Sequence, residues 1–328
     1  MRKSIAIIIT SILVLSGCNK QQSVSDRLLN EVEKAIAINP DSASNLLNSI
    51  SSPEKLDDKT FARWCMLSGK ITDEIFNSIL PTYQLERAYD WYSSHGSPDE
   101  QVQILIYLGR SYFADGDYDK AMSIYTNALD IAEKNKLNNL TGYTYSYIGD
   151  LYGEKFMRTE AIKRYKAAAE CFKKENNTDS YACALRDVGR EYACIDSLSR
   201  ALKILTIADS VARNTKNIEV TASIDNALGN IYAMQNKYDK AEEYFLKALV
   251  GRETMPDYMA LIDLYIASGA INKAQELLSK ILQDNPKYTY SIKYLYYQIY
   301  NEEKNYKEAL TNLKEYVEIT DSIIYADN

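Results

Sequence analysis

The chain has 328 residues, 46% of them hydrophobic and 25% charged, which is enough to bury the core of one large or two ordinary domains and excludes a fibrous or disordered protein. Twelve glycines and six prolines leave little material for turns, so helices dominate the expectation. A single histidine, His95, argues against His-rich metal sites and most His-based acid–base chemistry, and a formal charge of −7 disfavours nucleic acid as a partner.

In chain order, the first element is an apolar run from Ile5 to Leu15 preceded by Arg2 and Lys3. Eleven residues are too few to span a bilayer as a helix and fit the core of a signal peptide. The run ends in Leu15-Ser16-Gly17-Cys18, which resembles the bacterial lipoprotein signal. That resemblance implies removal of residues 1–17, lipidation of Cys18, and a short tether over residues 18–24 that holds the protein to a membrane through its lipid. Without Arg2 and Lys3, 36 basic residues stand against 45 acidic ones, a charge of −9. Asn19 stands where enteric lipoproteins retained at the inner membrane carry aspartate, and residues 19–25 hold no acidic cluster. The resemblance therefore implies an outer-membrane location facing the periplasm.

Residues 25–51 read as a helix pair joined at Asn39-Pro40-Asp41-Ser42, and residues 58–95 as a second pair containing Trp64, Leu67, Tyr89 and Trp91. Beyond residue 98 a repeat takes over. Gly109, Gly149, Gly189 and Gly229 are forty residues apart, and Tyr112, Tyr152, Tyr192 and Tyr232 keep step with them. So do Ala121, Ala161, Ala201 and Ala241, and again Ala128, Ala168, Ala208 and Ala248. Large residues precede the glycines (Leu108, Ile148, Val188, Leu228) and separate the alanines (Tyr125, Tyr165, Leu205, Phe245), so each unit holds two helices. Small side chains make holes where helix axes cross and large ones fill them, and one unit alone cannot bury its apolar face. The units must stack.

This small/large pattern resembles the tetratricopeptide repeat, in a form six residues longer than usual. The resemblance implies an all-α, right-handed superhelix of stacked antiparallel helix pairs. Four forty-residue repeats and two shorter ones fill 99–328, the last two carrying Tyr258, Leu261, Tyr265, Gly269, Ala274 and Leu278, then Tyr296, Tyr300, Tyr306, Ala309 and Leu313. Residues 25–98 form a divergent region of similar architecture. The general layout also resembles Bacteroidota envelope proteins related to the sensory regions of helix-turn-helix regulators.

Such an array implies a concave face lined by first helices, where the family binds an extended peptide or partner helix. Arg110, Asp150, Arg190 and Asn230 follow the glycines, with Arg186 and Asn226 four residues before the last two. Arg186 and Arg190 share a helix face, a repulsion that calls for a counter-charge. Two roles are open for these six residues. They form either a pocket for a carboxylate or phosphate, or a ladder of salt bridges in which Arg110, Asp150 and Arg190 alternate in sign along the stack. The 28 tyrosines mostly serve as knobs, but Tyr288, Tyr290, Tyr294, Tyr296, Tyr297 and Tyr300 are denser than packing requires and form a candidate contact surface or a cap. Asp41-Ser42-Ala43, Asp196-Ser197-Leu198, Asp209-Ser210-Val211 and Asp321-Ser322-Ile323 resemble a short O-glycosylation motif, and helix capping accounts equally for the first two. Cys183 and Cys194 lie about 16 Å apart along one helix and cannot bridge, whereas Cys171 and Cys183 are either a disulfide or small buried thiols.

No phosphate loop, catalytic triad or metal-spaced cluster is present in this sequence, so neither cofactor nor metal is expected. The expectation is a non-catalytic lipoprotein of the cell envelope that binds a protein or peptide as scaffold or sensor. The alternatives are a glycan-capturing lipoprotein of an outer-membrane uptake system and a scaffold for outer-membrane assembly.

Overall fold

A computed structural model describes residues 25–75, 79–284 and 289–326; the signal run, Cys18, the tether and Tyr288 lie outside them. The described residues hold sixteen α-helices, one 3₁₀ turn (Pro53–Lys55) and no strand. They fall into two compact units divided after Glu175. The first contains α1 (25–36), α2 (Pro40–Asn48), α3 (Asp58–Ile75), α4 (Thr82–His95), α5 (Pro98–Ala114), α6 (Tyr118–Lys134), α7 (Asn138–Glu154) and α8 (Arg158–Lys174). The second contains α9 (Thr178–Cys194), α10 (Leu198–Ala212), α11 (Ile218–Met234), α12 (Tyr238–Gly251), α13 (Met255–Ala267), α14 (Ile271–Asp284), α15 (Thr289–Glu302) and α16 (Tyr306–Ala326). Within each unit successive helices pack as hairpins. The first helices of neighbouring hairpins also pack together, α3 on α5 on α7 in one unit and α9 on α11 on α13 on α15 in the other. Each unit is a stack of helix pairs.

The repeat columns explain this packing directly. All eight column alanines from Ala121 to Ala248 are fully buried. A Cβ added to Gly109 would lie 2.3 Å from the Tyr125 ring, one at Gly149 2.7 Å from Tyr165, and one at Gly229 2.6 Å from Phe245. At Gly189 it would lie 2.6 Å from Leu205 Cγ. The glycine of each first helix is thus the socket for the large residue sixteen positions later on its own second helix. Gly69, Leu85 and Ala88 stand forty residues before Gly109, Tyr125 and Ala128, so α3 and α4 keep the register although the sequence pattern there looks divergent. Gly69 receives a different knob, the ring of Tyr107 from α5.

Hairpin turns share one device. Gly116, Phe156, Asp196 and Asn236 have φ of +77°, +57°, +56° and +57°. The next residue donates its N–H back to the column tyrosine, as Asp117 does to Tyr112 O (2.9 Å) and Met157 to Tyr152 O (2.8 Å). The left-handed residue donates to the carbonyl one position beyond that tyrosine, closing a Schellman motif. The corresponding residues of the last two hairpins are Gly269 (φ +75°) and Lys304 (φ +59°), so those repeats measure 33 and 35 residues between turns. Gly269 is therefore a turn glycine, and Ile262 takes the socket position. At helix starts, Asn39 caps α2 with its side chain on Ser42 N (2.9 Å), Ser97 and Glu100 form a capping box on α5, and Asn217 caps α11. Of the two motif serines credited with capping, Ser42 is the residue capped, and Ser197 sits at the N-cap of α10 without a side-chain bond.

Column tyrosines also tie neighbouring elements together. Tyr112 donates its hydroxyl to Glu86 of α4, and Tyr265 to Glu242 of α12 at 2.8 Å. A cation eight residues downstream lies over each ring: Lys120 over Tyr112, Arg200 over Tyr192, Lys240 over Tyr232 and Lys273 over Tyr265, at 5.1–5.9 Å. For Tyr152 that position is Glu160, and Arg164 reaches the ring instead (5.9 Å).

Candidate functional site

The left-handed turn residue fixes which side chains share a face. Arg110 and Asp150 stand six residues before it in the first unit, and Arg190 and Asn230 do so in the second. The six candidate residues divide between the units, two in the first and four in the second.

In the first unit, Arg110 on α5 pairs with Asp73 on α3, and its guanidinium lies 5.6 Å from the Tyr147 ring on α7. Tyr107 donates to the same Asp73 at 3.1 Å, and Tyr147 stacks on Tyr125. Burial and the Asp73 carboxylate push the Tyr107 phenol well above its ordinary range, and burial pushes Tyr147 up to about 12. Arg110 therefore bridges three successive first helices, and only 19% of its side chain is exposed. Asp150 is exposed and accepts from the Tyr165 hydroxyl at 2.6 Å.

In the second unit the counter-charge demanded by Arg186 and Arg190 is Asp187. Arg186 grips it with two bonds of 2.9 and 3.1 Å and donates to Ser223 on α11 at 2.9 Å. Arg190 reaches Asp187 only at 3.7 Å and leaves 66% of its side chain exposed. Asn226 donates to Asp257 on α13 (2.9 Å), a fully buried carboxylate that Arg252 holds through two further bonds. Asn230 donates to Asn226 Oδ1 at 2.9 Å. Within the first unit the acidic partner of Arg110 is Asp73 instead of Asp150, and within the second that of Arg190 is Asp187.

Two members of the face escaped the sequence reading. The same count of six before the turn residue places Asp263 on α13 and Gln298 on α15 in the column of Arg190 and Asn230. The forty-residue period missed them because the later repeats are shorter. Asp187 was legible as the acidic neighbour of Arg186, and Asp73 only through the Gly69 register.

Of the tyrosine cluster, Tyr294 is 38% exposed and packs against Tyr297 and Tyr316, while Tyr296 stacks on Tyr300. Cys65, Cys171, Cys183 and Cys194 are free thiols, and burial raises the pKa of Cys171 and Cys183. Among the described residues no group of His, Cys, Asp and Glu has metal-binding geometry, and no helix is long and apolar enough to cross a membrane.

Comparison with known proteins agrees with this geometry. Tetratricopeptide repeat models match residues 100–174 and 221–255. No curated protein matches the chain. Among solved structures, a Rap protein complexed with competence and sporulation factor superposes with a TM-score of 0.69 at 18% identity, over 93% of this chain and 88% of that one. A tetratricopeptide repeat protein from Parabacteroides merdae ATCC 43184 gives 0.55 at 17% identity, over 79% and 93%. A signal-transduction ATPase with a tetratricopeptide repeat sensor from Pyrococcus horikoshii gives 0.58 at 16%, over 94% of this chain and 54% of that one. The chain thus contains tetratricopeptide repeats and shares the all-α fold of stacked helix pairs with such proteins. Proteins of this fold generally serve as non-catalytic interaction scaffolds or sensors.

Proposed function

We propose that this is a non-catalytic lipoprotein of the cell envelope, acylated on Cys18 and held at the periplasmic side of the outer membrane. It binds a protein or peptide partner on its first-helix face and acts as a scaffold or sensor. The observation that carries the binding reading is the row of exposed polar side chains, Arg190, Asn230 and Asp263, presented in register by consecutive first helices. Arg186 and Asn226 support that row by bonding one first helix to the next; in the first unit Arg110 does the same for its own helices, and Asp150 holds the corresponding exposed position. Two structural neighbours point the same way, one solved in complex with competence and sporulation factor and one carrying a repeat sensor.

The lipid anchor rests on the signal run ending at Cys18. Cys18→Ala should abolish recovery in the membrane fraction while the soluble variant keeps the helical circular dichroism of the wild type; recovery of the variant in the membrane pellet at wild-type level would contradict the anchor. Cross-linking from position 230 in native envelopes tests the partner. A sensor or regulator protein agrees with the reading, and a transporter barrel or the barrel-assembly complex replaces it.

A further inference from the structure

The first-helix face of the second unit is electrically lopsided. At its α9 end are two cations, Arg186 and Arg190, and one carboxylate, Asp187, which Arg186 engages with both of its oxygens. Arg190 is left as a surplus, exposed guanidinium. At the α13 end Asp257 is neutralised by Arg252, and Asp263 has no ion pair among the described residues. Asp263 has solvent access, yet its carboxyl is held above the usual carboxylate range, and burial is the cause. The next residue of the column, Gln298 on α15, has a buried Oε1 with no hydrogen-bond donor, and α13 packs against α15. A buried acceptor left unmade costs free energy, and so does a carboxylate without a counter-ion. Both deficits are relieved by one kind of group, a cation carrying several N–H donors. At the other end, Arg190 offers a planar fork suited to a carboxylate.

Because α11 packs against both α9 and α13, two helix spacings of 8–10 Å separate the ends, roughly 16–20 Å. An extended chain rising about 3.3 Å per residue covers that distance in five to six residues. Asn230 lies between the ends, with an amide able to bond the passing backbone.

We propose that Asp263 and Gln298 receive the ammonium or guanidinium group of an extended peptide whose acidic group, about five residues away, pairs with Arg190. This inference rests on the peptide-binding reading above and gives it a chemistry. The partner segment is short, dipolar and charged at both ends, and an acidic or basic segment alone is a poor ligand.

The test uses the full chain and four heptapeptide libraries with blocked termini, randomised at five positions and fixed at the first and sixth as lysine/aspartate, lysine/lysine, aspartate/aspartate or alanine/alanine. Captured peptide is quantified by mass spectrometry. The lysine/aspartate library should be enriched tenfold or more over the others. Asp263→Lys should move the preference to aspartate/aspartate, and Arg190→Glu should move it to lysine/lysine. An order of preference that neither substitution changes overturns the inference, as does failure to capture any library. Equal capture of all four libraries that is abolished by Asn230→Trp overturns the charge assignment and leaves the first-helix face as the peptide site. Capture that survives Asn230→Trp overturns both.

Discussion

Gly189 sits in the interior of α9, where alanine is the better helix former by about 1 kcal/mol. Space decides against alanine, because its Cβ would fall 2.6 Å from Leu205 Cγ, well inside contact distance. Overpacking of this kind costs about 1–3 kcal/mol, so Gly189→Ala should lower the urea midpoint despite the gain in propensity. Leu205→Ala should relieve much of that penalty when the two are combined, since contacting residues couple. A midpoint raised by Gly189→Ala, or strict additivity of the pair, would contradict the socket. The same scale shows what a sequence can and cannot carry. The glycine and alanine columns were legible because each position has one dominant requirement, volume. The charged face was only half legible: the anion that Arg186 calls for is its neighbour Asp187, but that of Arg110 is Asp73, 37 residues away along the chain.

At the scale of the helix pair, the turn sets the register. Phe156 is the exception among the hairpin ends, a bulky residue at φ +57° with 80% of its surface exposed. A left-handed conformation costs an L-residue roughly 1–2 kcal/mol, which glycine avoids. Part of that gain is offset by the greater freedom glycine has when unfolded, and by loss of the contact between Arg158 and the Phe156 ring at 5.1 Å. Phe156→Gly should therefore raise stability by about 0.5–1 kcal/mol, seen as a higher melting temperature; a lower one would contradict the strain argument. Turn geometry also explains where sequence reading lost its way. A fixed interval of forty locates four repeats and fails at the fifth, whose turn arrives 33 residues after Asn236. Counting backward from the left-handed residue recovers Asp263 and Gln298, but lysine, phenylalanine, asparagine, aspartate and glycine all occupy that conformation in this chain, so no residue type marks it. Upstream, Gly69 kept the interval while Pro81 stood where an alanine was due, so the helix pair read over 58–95 was not recognised as keeping the repeat register.

At the scale of the molecule, helices pack strongly only with the next helix or the next but one, so the core runs on from repeat to repeat, as from Leu29 to Leu151 in the first unit, and stability is shared among repeats. In the first unit the residues that distribute it include tyrosines, whose rings fill the sockets at Gly69, Gly109 and Gly149 and whose hydroxyls, as at Tyr107 and Tyr112, bond across repeats. Their shared chemistry exposes the helices α5 to α7 to alkali together. Burial raises the pKa of Tyr107 and Tyr125 beyond that of a free phenol, a hydrogen bond to Glu86 lifts Tyr112 to about 12, and burial with a bond to Glu133 lifts Tyr145 to about 12. Since the unfolded chain ionises its phenols near pH 10, it releases protons that the folded chain retains, and stability falls as pH rises through and above that value. Phenolate absorbance should therefore appear together with the loss of helical circular dichroism, at a higher pH than in a urea-denatured control. Complete phenolate absorbance with the helices intact would contradict this coupling. A unit that stacks its repeats on phenols has made its cohesion depend on their staying protonated, a vulnerability that the leucine and phenylalanine knobs at Gly189 and Gly229 do not share.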